Sequence, residues 1–68
     1  MEKLYHFYIL VIYDDNSEFG FDVKIGGKSH EVLANIQMIT RGTLMASNAK
    51  YAYAYKDDGF EACAYRRD

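Results

Sequence analysis

Proline and tryptophan are absent from this 68-residue chain, and cysteine occurs once, as Cys63. Without proline no position is barred from a helix interior or a sheet ladder, so hydrophobic periodicities can run without a forced break. A single thiol closes no intrachain disulfide and cannot complete a zinc site, which removes both staples that many very small domains rely on. Stability must then come from packing, in a chain of a size that buries only about 60% of its unfolded surface. A lone free thiol also points to a reducing, cytoplasmic setting. The formal charge is only −2, with a sequence pI near 5.5. There is no excess of lysine and arginine to neutralise a phosphate backbone, so nucleic acid is a disfavoured partner. Long apolar runs are missing too. The longest, from Leu4 to Tyr13, contains His6 and ends in Asp14-Asp15 without a small-residue cleavage pattern. It reads as neither a signal peptide nor a bilayer span, which needs about 20 apolar residues.

What the chain does have is hydrophobic content. Half of its residues are hydrophobic and 26% are charged, a balance that excludes a disordered polymer and implies one folded domain over residues 1–68. Four of its seven tyrosines, Tyr51, Tyr53, Tyr55 and Tyr65, fall in a terminal segment, KYAYAYKDDGFEACAY, that reads as a β-hairpin. Side chains alternate between faces along a strand, so the turn decides which residues share a face. An Asp-Gly pair could close a two-residue loop. A three-residue loop, with a type I turn on Asp57-Asp58 and a left-handed Gly59 at a bulge, suits the flanking Lys56 and Phe60 better. It sets Lys56 opposite Phe60, Tyr55 opposite Glu61, Ala54 opposite Ala62, Tyr53 opposite Cys63 and Tyr51 opposite Tyr65. One face then carries Ala52, Ala54, Phe60, Ala62 and Ala64. The other carries Tyr51, Tyr53, Tyr55, Glu61, Cys63 and Tyr65. A two-residue loop shifts the second arm by one residue and mixes the two sets.

Earlier in the chain, residues 4–13 are β-branched and aromatic and too short for an amphipathic helix. Both faces of this strand are apolar, with Phe7, Ile9 and Val11 on one side and Tyr8, Leu10 and Ile12 on the other, the mark of a central strand covered on both sides. Asp14-Asp15-Asn16-Ser17 is a turn cluster. Residues 18–25 alternate, with Phe19, Phe21, Val23 and Ile25 inward and Glu18, Gly20, Asp22 and Lys24 outward. After Gly26-Gly27-Lys28, Ser29 is a plausible helix N-cap. Val32, Leu33, Ile36, Ile39 and Leu44 then recur at helical spacing. Gly42 is the weak point of that helix. Either it continues to about Ser47 and stops at Asn48, or Gly42 caps it and Thr43–Ser47 form a short strand; the helix formers Leu44, Met45 and Ala46 favour continuation.

The chemistry-bearing residues do not assemble into a catalytic motif. His6 and His30 have no second ligand at metal spacing, so no metal site is expected. His6 shares a face with Tyr8 and could border a binding surface. Cys63 has no sequence neighbour to lower its pKa and reads as a small packing residue or as a thiol against Tyr53 on the associating face. The carboxylates of Asp14-Asp15 and Asp57-Asp58 fall in turns and lack the pattern of a calcium loop. Gly26-Gly27-Lys28-Ser29 resembles the end of a phosphate loop, but the earlier glycine would fall at Asp22, leaving a glycine-rich connection. No catalytic residue, cofactor or metal is expected, and the chain reads as non-enzymatic.

The expected architecture is α+β, a two-layer ββαββ domain with antiparallel hairpins at about residues 4–25 and 50–66 packed on one helix at about 30–47. One helix covers one sheet face, with alanines beneath it and Phe7, Phe19, Phe21 and Phe60 at the periphery. The other face collects Tyr8, Leu10, Ile12, Tyr51, Tyr53, Tyr55 and Tyr65, with Arg66 and Arg67 at its rim. An uncovered apolar face of that kind marks an interface. The leading expectation is a protein–protein interaction domain, a homodimer through the tyrosine face or a hairpin edge; size and lack of chemistry fit an accessory or inhibitor protein of a phage or mobile element. The competing expectation is a single-stranded nucleic-acid binder that stacks bases on Tyr53 and Tyr55.

Overall fold

A computed structural model of the chain describes residues 3–56 and 59–66, with the side chains of Phe60 and Glu61 outside that description. Its elements follow in the order β1 (Leu4–Ile12), β2 (Glu18–Gly26), α1 (Ser29–Ser47), β3 (Tyr51–Lys56) and β4 (Gly59–Tyr65). The fold is α+β: a four-stranded antiparallel sheet in the order β2-β1-β3-β4, with the helix packed on one face. Among the described residues no helix is long and apolar enough to cross a membrane.

The doubly apolar β1 is central, between β2 and β3. Its first face is the heart of the core, where Phe7, Ile9 and Val11 are buried. Phe7 therefore belongs to the centre and not, as expected, to the periphery. The alanine face of the second hairpin meets the helix as expected: Ala52 and Ala54 are fully buried, Ala62 nearly so and Ala64 partly. Methyl-sized side chains let α1 lie close over β3 and β4, the strands it touches most. It reaches β2 less, so Ile25 is buried near the helix start while Phe19, at the far end of that edge strand, stays 57% exposed against Phe21.

The helix is continuous through Gly42 to Ser47, and Asn48 stops it in the left-handed conformation at φ 54°. Val32, Ile36, Thr40 and Leu44 form its buried stripe. Two of these anchor the turns on either side of Gly42, so packing outweighs the glycine's low propensity. Thr40 was not on the apolar pattern; its hydroxyl donates to the Ile36 carbonyl at 2.6 Å, which lets it stand fully buried. Leu33, by contrast, is 44% exposed. The cap also differs from expectation. Lys28 is the N-cap and makes no side-chain cap bond, and Ser29 is already helical. Gly27, at φ 133°, makes the sharp entry that a side chain would strain. A Cβ added at Gly42 would meet nothing within 4 Å. Gly42→Ala is therefore expected to stabilise the fold by about 1 kcal/mol, seen as a higher urea midpoint at unchanged slope.

The second hairpin corrects one expectation and explains why its consequence survives. Tyr51, Tyr53 and Ala54 do face Tyr65, Cys63 and Ala62, but Tyr55 faces Phe60 and Lys56 faces Gly59. The connection is thus the shorter one, with its tip residues Asp57 and Asp58, and the type I turn expected on them, outside the described residues. Gly59 has positive φ, 132°, yet the register shift lies farther in, where Glu61 is the extra residue. A two-residue loop moves the second arm by one position and a bulge at Glu61 moves it back. From Ala62 onward the alanines again face the helix. The burial of Ala54 and Ala62 sets this register, and the bulge reconciles it with the tight tip.

Candidate interaction surface on the open sheet face

In an antiparallel ladder directly opposed residues project from the same face, so the pairings define rows across the sheet. Glu18, Ile12, Tyr51 and Tyr65 form one row, and Gly20, Leu10, Tyr53 and Cys63 the next. Asp22, Tyr8 and Tyr55 form a third, and Lys24 faces His6 in a fourth. All six residues singled out from the sequence, Tyr8, Leu10, Tyr51, Tyr53, Tyr55 and Tyr65, share this face. It lies opposite the helix. Tyr8, Tyr51, Tyr55 and Tyr65 are 43%, 40%, 37% and 59% exposed, and Leu10, Ile12 and Tyr53 are half-buried. The expected cover on both sides of β1 is therefore absent among the described residues.

The tyrosines form an ordered surface. Along β3 the Tyr51 and Tyr53 rings lie 6.1 Å apart and those of Tyr53 and Tyr55 6.2 Å apart, the first pair stacked. Tyr8 leans across β2 over Gly20, where an added Cβ would collide with its ring and hydroxyl. That glycine seats the ring, as aromatic side chains cover glycines on sheet edges. Burial among its neighbours raises the Tyr53 pKa above its ordinary 10.0, and the nearby Tyr51, Tyr55 and Cys63 groups push the same way. A raised acid pKa means that the folded state holds its proton more tightly than the unfolded state. The resulting stability is fully present below pH 10.0 and is lost as pH rises through the raised folded value. Alkaline unfolding followed by circular dichroism should show this, and Tyr53→Phe should flatten the decline.

Charge borders this surface on the β2 side. His6 Nε2 lies 2.8 Å from Asp22 Oδ1, both partly exposed. The sequence places His6 beside Tyr8 but not beside Asp22, a diagonal neighbour that depends on the β1/β2 register. At the end of the sheet near Tyr51, the first hairpin's turn is fastened to the second hairpin: Arg66 donates to Asp14 at 2.7 Å and Lys50 to Asn16 at 2.9 Å. The turn closes with Asn16 at φ 68° and with the Ser17 amide and hydroxyl donating to Asp15, which holds that carboxyl below its ordinary pKa. Arg66 is thus tied to Asp14, while Arg67 lies outside the described residues. Among the described residues no three His, Cys, Asp or Glu side chains cluster to hold a metal. His30 sits exposed on the first helical turn, 3.9 Å from Glu31. Cys63 is exposed in the row of Tyr53. No protein-family model, curated protein or solved structure matches the chain.

Proposed function

We propose that this domain is a small non-enzymatic protein–protein interaction module that self-associates through its tyrosine-rich sheet face. The observation that carries the reading is the unequal covering of the sheet: one helix covers one face, while four tyrosines on the other are more than a third exposed. Tyrosine gives broad, fairly rigid contact area with a polar tip, the chemistry enriched at interfaces. The dimensions set the size of the contact. A nine-residue strand spans about 30 Å and four strands about 19 Å, so the face projects on the order of 550 Å². Two stacked copies would bury roughly 1,100 Å², near the lower bound of specific interfaces and in the size class of weak, transient contacts. Light scattering over a dilution series tests it: the mass should exceed 7.9 kDa at high concentration and fall on dilution.

The spacing of the β3 ring ladder favours a second reading, in which successive bases of a single strand stack on Tyr51, Tyr53 and Tyr55. Glu18 and Asp22 on the same face oppose it. Oligonucleotide titration at low salt, where phosphate attraction is greatest, decides between the two: saturable binding supports stacking and no binding excludes it.

A further inference from the structure

The two edges of the sheet are built differently. Edge strand β2 carries Glu18, Asp22 and Lys24 on the open face, charges of the kind that discourage strand addition. Edge strand β4 has none from Ala62 to Tyr65, and its bulge lies toward the tip, leaving that run straight. The Arg66 amide donates to the Lys50 carbonyl at 3.1 Å, so residue 66 points toward β3. Alternation then turns the amides and carbonyls of Ala62 and Ala64 toward β3 and those of Cys63 and Tyr65 outward. Beside this edge, Leu44, Met45 and Ala64 help to line a groove of about 660 Å³, and Met45 is 75% exposed.

We propose that the β4 edge pairs antiparallel with β4 of a second copy of this chain about a two-fold axis at Ala64, forming a continuous eight-stranded sheet. Such an axis stands normal to the sheet and sets one residue opposite its own copy. Centred on Ala64, it opposes Cys63 to Tyr65 of the other copy twice, and the outward amides and carbonyls form four hydrogen bonds clear of the bulge. Side-chain size selects a second copy over an unrelated strand. Exposed Tyr65 meets small, exposed Cys63 at both positions, so each ring fills the notch beside the other copy's Tyr53. On the helix side, Ala64 against Ala64 permits the close approach of a non-hydrogen-bonded pair, and the two grooves come together over the axis, covering Met45. The row Ile12, Tyr51, Tyr65 of one copy runs on into Cys63, Tyr53, Leu10 of the other. This contact uses the strand edge and stands apart from the face contact proposed above.

Cysteine cross-linking tests the register. With Cys63→Ser in the background, Ala64→Cys places two thiols on residues about 4.5 Å apart between Cα atoms, within disulfide range, while native Cys63 residues would be about 8–9 Å apart, outside it. Under copper–phenanthroline oxidation, Ala64→Cys should form the covalent dimer at least about tenfold faster than the native protein, although Cys63 is the more exposed site. Equal or slower cross-linking overturns the register. Cys63→Pro supplies a second measurement, since proline is tolerated on an edge strand where the amide faces solvent. Combined with Ala64→Cys it should abolish the cross-link while the circular dichroism spectrum stays native, and an undiminished cross-link overturns strand pairing. Tyr8→Lys, on the open face but on β1, two strands in from the β4 edge, separates the two contacts: the Ala64→Cys cross-link should persist in it, and its loss would overturn an edge contact that stands by itself.

Discussion

Ile36→Ala is expected to lose about 2–5 kcal/mol, the cost of removing a large aliphatic side chain from a packed core. Ile36 is fully buried in the middle of the helix stripe, in one cluster with Phe7, Ile9, Val32, Ala54 and Ala62. Alanines beneath it cannot swing in to fill the space, so the upper part of the range applies. A domain of this size has a total stability of roughly 3–10 kcal/mol, and no disulfide supplements it. The variant should lose half or more of its stability and unfold over a broad, early thermal transition by circular dichroism. A loss under about 1 kcal/mol would mean that the helix is not the lid of this core.

The second large effect is on association. Tyr53→Lys puts an ammonium in the middle of the face, between Leu10 and Cys63 in its row and between the rings of Tyr51 and Tyr55 along its strand. Stacking a second copy there would bury an unpaired charge, while in the free subunit the long side chain can reach solvent. Face association should weaken at least about 100-fold, since centrally placed aromatic anchors contribute about 2 kcal/mol or more and each 1.4 kcal/mol is tenfold. Sedimentation equilibrium would show this as a shift of the mass curve to higher concentration, with native secondary structure retained. The contrast with Ile36→Ala is informative, because one residue serves the covered face and the other the open one.

Much of this architecture was legible because simple periodicities carried it. The doubly apolar β1, the alternation of Phe21, Val23 and Ile25, and the Ala/Tyr alternation of β3 each identify a strand and its faces, and the absence of proline allowed a long helix. The features that were not legible depend on contacts between distant segments. Thr40 enters the core because its own helix accepts its hydroxyl proton. His6 finds Asp22 only through a register set over a whole hairpin. The Glu61 bulge arises where a tight tip and the buried alanines demand different registers, a conflict that neither segment reveals alone. Phe19 follows the inward pattern yet remains exposed, because the helix lies toward β3 and β4. The candidate surface was readable at the level of face membership; its bordering charges and the seating of Tyr8 on Gly20 required the three-dimensional pairing.

The most direct test of the open face as an interface is residue-resolved NMR of the tyrosine rings over a dilution series from about 1 mM to about 10 µM, the range suited to a weak, transient contact. The Tyr8, Tyr53 and Tyr55 ring resonances should move together with concentration, while those of Tyr5, which packs against the core on the helix side, stay fixed. Face-ring resonances unchanged across that range, with a mass constant at 7.9 kDa, would contradict self-association through the tyrosine face.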